Sequence, residues 1–333
     1  MKVLASVTVA VLAIALLLLW GDVSLGDVAS AIRAIEPGTF ALALGIQASI
    51  YVLRAARLRV LLRGAGGEET SLAGLTSASA AWILDSHVLP AKVGEATLVL
   101  HLRRVGVRAE HGLVGLVLSR LFDLATLVTV LGVTCLGLGL GGERAGMPWL
   151  TALGAALLAL ALVLAVAILR GGHVVGLVRR LLVRIGLERT QLGTRASAFA
   201  VRVEEALHAV PRGTLASAAV LSLPVWAAVL GVYAVLGTGV GLTGLTAFDL
   251  LFGSSLAILG SLLPIGGFLG FGMLDVGWAW GFAAVGVPES HAVATGLAFH
   301  TLYLVGVGLL GAAGHVALAR LASAPAEPAP PEA

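Results

Sequence analysis

Residues 82–95 read WILDSHVLPAKVGE, and residues 258–275 read ILGSLLPIGGFLGFGMLD. Each apolar run stops at a Leu-Pro pair, at Pro90 and at Pro264, and then passes through glycines (Gly94; Gly266, Gly267 and Gly270) to a carboxylate, Glu95 or Asp275. Interrupted hydrophobic segments at corresponding places in two halves of a membrane protein point to discontinuous helices around a central site. Broken backbone is tolerated at membrane depth only where protein or water covers its polar groups, so both segments read as re-entrant helical hairpins.

The surrounding chain supports a bilayer as its solvent. It is 59% hydrophobic and 12% charged, far from the balance of soluble domains. Apolar runs of spanning length cover about 3–20, 39–62, 112–140, 149–169, 214–236 and 291–319. The first follows Lys2, is long for a signal h-region and lacks a small-residue cleavage site, so it reads as an uncleaved span. The expectation is an all-α polytopic membrane protein of about six full spans plus two re-entrant hairpins, forming one integral membrane domain over 1–321. Residues 322–333, rich in Ala, Pro and Glu, read as a disordered tail.

Basic residues orient this scheme, because short cytoplasmic loops are enriched in Lys and Arg. With the N-terminus inside, Arg63, Arg103, Arg104, Arg108, the arginines of a basic loop at about 171–212, and Arg320 all fall inside, whereas Arg33 and Arg144 fall outside. Both termini are then cytoplasmic, and the protein belongs to the cell membrane. Three full spans separate the hairpins, which places them on opposite faces as an inverted repeat of units at about 72–140 and 247–319. The string VGVRAEH from Val105 parallels VGVPESH from Val285 and adds to the case for duplication. Within the basic loop, Val178, Leu181, Leu182 and Ile185 face away from Arg179, Arg180 and Arg184, a pattern that serves anionic headgroups or a solvated loop equally well.

Ionisable groups inside the bilayer are functional candidates. Lys92 and Glu95 follow the first break, where a helix N-terminus and a cation suit a phosphate. Arg120 and Asp123 are three apart on one helix face and can pair. His87, Lys92, Glu95, Arg120, Asp123 and Asp275 are therefore the candidate substrate-binding residues, and the second hairpin offers no sequence-adjacent cation for Asp275. Asp85, Ser86 and His87 supply triad residue types without triad geometry, the histidines lack metal-ligand spacing, His300 and His315 read as interhelical hydrogen-bonding residues, and the arginines come without a nucleic-acid motif. Cys135, the sole cysteine, excludes an intrachain disulfide. No cofactor, metal site, nucleic-acid partner or catalytic residue is expected.

The motifs LPAKVGE from Leu89, SRLFD at 119–123, and LPIGG followed by the acid at 275 together resemble the lysylphosphatidylglycerol synthase transmembrane family, the flippase-like membrane part of the multiple peptide resistance factors. The resemblance extends to about Leu321. It implies a role in moving or presenting lipids with polar headgroups, with membrane phospholipids or glycolipids as ligands and envelope-lipid enzymes as possible partners. The chain departs from the family pattern at His87, where Asn is frequent, at Leu98, where a second basic residue is frequent, and at Asp275, where Glu is usual; the glycine run is shifted by one residue. The chain ends without a soluble aminoacyl-transferase domain, so by resemblance it does not lysylate lipid itself. The resulting expectation is a lipid flippase or lipid-transport protein, with a proton-coupled carrier of a small solute, or a non-transporting accessory subunit, as the alternatives.

Overall fold

The computed structural model of the chain describes residues 2–67, 69–89, 93–141, 148–169, 208–262 and 268–323. Pro90, Lys92, Pro264, Gly266, Gly267 and most of the basic loop and tail lie outside these residues. Within them the protein is α-helical, with no strand. Five helices are long and apolar enough to cross a bilayer: α3 (Pro37–Gly64), α6 (Ala109–Leu140), α7 (Pro148–Leu169), α8 (Arg212–Gly239) and α11 (Glu289–Ser323). A sixth span results when α1 (Lys2–Trp20) is taken together with α2 (Leu25–Ala34), although the two are bent by 91°. α2 was not expected. A capping box opens it, with Asp27 Oδ2 accepting from the Ser24 N–H at 2.8 Å and the Ser24 hydroxyl accepting from the Asp27 N–H at 3.2 Å, which satisfies donors that a helix start otherwise leaves unpaired.

The burial pattern departs from that of a soluble protein in two respects, although the interior is apolar. Leu19, Leu162, Val163, Val220 and Trp280 are exposed, whereas Gln47, Arg57, Asp123, Asp275 and His300 are buried. Apolar side chains outside and ionisable ones inside are what a lipid solvent demands. This is a multi-pass α-helical membrane protein.

Besides α2, four described helices are shorter: α4 (Leu72–Val88), α5 (Val93–Arg104), α9 (Ala247–Leu262) and α10 (Met273–Ala284). At 12 residues each, α5 and α10 extend about 18 Å, well short of a hydrocarbon core of about 30 Å. They pack back on α4 and α9 respectively. Glycines allow this close approach. A Cβ on Gly94 would meet the Asp85 carbonyl oxygen at 2.4 Å, and one on Gly260 would meet that of Met273 at 2.1 Å. Backbones come together in membranes where such small residues line the contact.

The two VGV strings form the same turn. Val107 N–H donates to the Leu102 carbonyl at 3.0 Å and Val287 N–H to that of Phe282 at 3.0 Å, with Gly106 at φ 89° and Gly286 at φ 94°. A left-handed glycine after the last turn satisfies orphan carbonyls in this way. The preceding helices match as well. α3 and α8 each have 28 residues and end in equivalent turns, with Gly67 N–H to Leu62 O and Leu242 N–H to Gly237 O, both 2.9 Å.

Packing follows the same correspondence. α3 lies against α8; α4 packs on α11 while α9 packs on α6; α5 packs on α6 as α10 does on α11. The first short helix of each set thus rests on the long helix that closes the other set. Between the two sets lies the cavity described below.

Candidate functional site

The space between the two helix sets has a volume of about 470 Å³ and is lined by residues of α3, α4, α5, α6, α8, α9, α10 and α11. Of the residues expected from sequence to bind substrate, His87, Glu95, Arg120 and Asp123 line it, as does Gly270. Asp275 stands just behind the wall, bonded to a residue that does line it, and Lys92 falls outside the described residues.

Arg120, on α6, is held from three sides. Its Nε donates to Glu95 Oε2 at 3.1 Å and an Nη also bonds that carboxylate; its other Nη lies 3.6 Å from Asp123 Oδ2; and its guanidinium carbon sits 4.7 Å above the Trp82 ring, a cation–π geometry. Asp123 in turn takes Arg57 at 2.9 Å and the Trp226 indole N–H at 3.3 Å. Arg57, 1% exposed, also donates to the Ser222 hydroxyl at 3.0 Å and the Ser119 carbonyl at 3.5 Å, while its Nε is buried without a partner. The i,i+3 pairing of Arg120 with Asp123 expected from sequence is present, as one edge of a larger network.

The second set carries the counterpart. His300 Nδ1 lies 2.8 Å from Asp275 Oδ1, with both side chains buried, and Asp275 Oδ2 accepts from the Gly272 N–H at 2.8 Å. The missing sequence neighbour of Asp275 is therefore supplied from α11, 25 residues on. Shifting the chain by 180 positions, as superposes Val105 on Val285, also superposes Glu95 on Asp275 and Arg120 on His300. Each half places an acid in the first turn of its second short helix and its basic partner on the following long helix. The halves differ in chemistry: a guanidinium meets the acid in one and an imidazole meets it in the other. The Nε2 of His300 has no hydrogen-bond partner and lies where a Cβ on Gly270 would come within 3.6 Å of it and of the His87 ring. The broken segment of the second set, where Leu269 and Gly270 have φ of 59° and 83°, thus meets the end of α4 at the cavity.

Arg54 is the residue the sequence reading missed. It lines the cavity, its Nε is buried without a partner, and among the described residues it forms no hydrogen bond and no ion pair. Three cations (Arg54, Arg57, Arg120) thus stand near two acids (Glu95, Asp123), whose ion pairs are with Arg57 and Arg120. The shift that superposes Gly66 on Gly241 puts Val229 opposite Arg54, so the spare cation belongs to one side only. Arg54 and Arg57 lie three apart within an apolar run, the same spacing that drew attention to Arg120 and Asp123. Aromatic side chains complete the wall: Tyr51, Tyr233 and Tyr303 line it, with Phe299 stacked on Tyr303 at 5.9 Å.

The cavity can thus offer a guanidinium free of hydrogen bonds, an unpartnered imidazole nitrogen and aromatic surface to a guest. The sequence pattern of the lysylphosphatidylglycerol synthase TM region matches residues 3–311. The chain therefore belongs to that family. No curated protein matches it.

Proposed function

Proceeding from that membership, we propose that the protein is a lipid flippase or lipid-transport protein in which the cavity takes the polar, phosphate-bearing headgroup of a membrane lipid. The observation that carries this reading is Arg54, a guanidinium that borders the cavity and forms no hydrogen bond or ion pair among the described residues. A buried charge without a partner is costly, and guanidinium forks match phosphate geometry. A volume of about 470 Å³ has room for a headgroup but not for two acyl chains as well, so the chains stay in the bilayer while the headgroup crosses.

In this mechanism α4–α5 and α9–α10 are re-entrant hairpins of an inverted repeat, reaching the cavity from opposite faces, with both termini cytoplasmic in the cell membrane. The headgroup phosphate pairs with Arg54, and Lys92, next to the first break, guides it in from the inner face. Arg120 and Asp123 hold the walls apart through their own network. His300, backed by Asp275, offers its unpartnered Nε2 to the headgroup from the outer half.

Mass spectrometry of lipid co-purified with the protein tests this reading. One phosphate-bearing headgroup class should be enriched several-fold over the host membrane. A lipid profile equal to the host's, with a small anion retained instead, would turn the assignment to a solute carrier.

A further inference from the structure

Away from the cavity, Asp85 of α4, His101 of α5 and His315 of α11 meet at one point. His101 Nε2 lies 2.7 Å from Asp85 Oδ2 and His315 Nε2 lies 3.0 Å from Asp85 Oδ1, and the imidazoles stand edge to face with centroids 5.2 Å apart. One nitrogen or oxygen from each residue falls within 4.8 Å of the others. None of the three lines the cavity.

We propose that these residues form a binding site for a divalent transition ion of the zinc type, which ties the first short-helix pair to α11. Two imidazole nitrogens and one carboxylate oxygen are a donor set that zinc takes readily and that magnesium and calcium do not. The spacing suits it. Ligand bonds of about 2.0–2.1 Å in a tetrahedron hold the donor atoms roughly 3.3 Å apart, so small ring rotations convert the observed arrangement into a coordinated one. His101 is buried, and the His315 side chain is 36% exposed, which leaves an entry path and a free position for water.

Two further observations separate this cluster from ordinary packing. Glu95 and Asp123 are paired with arginines, whereas Asp85 is shared by two imidazoles and has no Lys or Arg partner among the described residues. A carboxylate between two imidazoles in an apolar bundle is the charge balance that a cation corrects. Nor does the fold require the cluster: the 180-position shift puts Gly281 opposite His101 and Cys135 opposite His315, and the other half closes with neither imidazole. The orphan Nδ1 of His101 is unpartnered in either tautomer and does not discriminate between a bare triad and a loaded one.

Purified full-length protein carrying no histidine tag, stripped with chelator and titrated with Zn²⁺ by equilibrium dialysis, tests the site. One ion per chain should bind at micromolar concentration or below, with Mg²⁺ failing to compete, and bound Co²⁺ should show the visible bands of a low-coordinate site. His315→Ala, at a partly exposed position that tolerates truncation, should weaken binding at least tenfold, as should Asp85→Asn; His208→Ala should leave it unchanged. Absence of saturable Zn²⁺ binding, or binding that persists undiminished in His315→Ala and Asp85→Asn, would overturn the proposal. This outcome is independent of whether the chain moves lipid.

Discussion

Substituting Asp123 by asparagine lowers the protein's stability by about 3–5 kcal/mol, the cost of breaking a buried ion pair from one side. Arg57 is the reason. Its guanidinium is 2% exposed and keeps only a serine hydroxyl and a backbone carbonyl once the carboxylate is gone. Arg120 loses less, because Glu95 still holds it. Heating curves of detergent-solubilised protein should show Asp123→Asn melting well below wild type. The double replacement Arg57→Met with Asp123→Leu should recover most of the loss, since apolar groups of similar volume often replace buried pairs at little cost. If Asp123→Asn melts with wild type, the network is not the structural clamp described above.

Arg54→Gln has the opposite signature. A guanidinium that no protein group pairs contributes nothing to the fold, so its removal should leave the melting temperature unchanged or raise it. Headgroup transfer should fall about ten- to hundredfold, the equivalent of losing a charged hydrogen bond worth roughly 1.5–3 kcal/mol. Arg54→Lys should retain part of the rate, because an ammonium keeps the charge but not the two-pronged geometry. Equal rates for wild type and Arg54→Gln in reconstituted vesicles would remove Arg54 from the pathway. Together the two substitutions separate residues that hold the cavity open from the one that engages its guest.

Much of the fold was legible because it is written in local composition. Long apolar runs define α3, α6, α7, α8 and α11, and the VGV strings announce turns whose glycines adopt positive φ. α2 was missed because its cap, Ser24 with Asp27, sits on a short amphipathic stretch that no spanning window registers. The site was legible where its members stand out from their neighbours. Glu95, Asp275, Arg120 and Asp123 interrupt apolar sequence and all prove to border the cavity or lie directly behind its wall. Arg54 and Arg57 were passed over as part of a span close to its basic end, although a spacing of three in an apolar run carried a signal. The pairing of His300 with Asp275 was not legible, since it joins residues 25 apart through the packing of α10 on α11. The meeting of His101 with Asp85 and His315 depends likewise on three helices whose contacts no local pattern states.

The halves match closely in their turns and packing and differ in their charges. One side presents Arg54 and the pair of Glu95 with Arg120; the other presents Val229 and the pair of Asp275 with His300. On the transport reading proposed above, this inequality would let a guest bind on one side and be released on the other. The central claim is that this cavity passes a lipid headgroup across the membrane, and the direct measurement is the appearance of headgroup-labelled anionic phospholipid in the opposite leaflet of vesicles reconstituted with the purified protein. The account predicts transfer well above that of protein-free vesicles, reduced at least tenfold by Arg54→Gln; rates equal to protein-free vesicles across a panel of headgroups would contradict it.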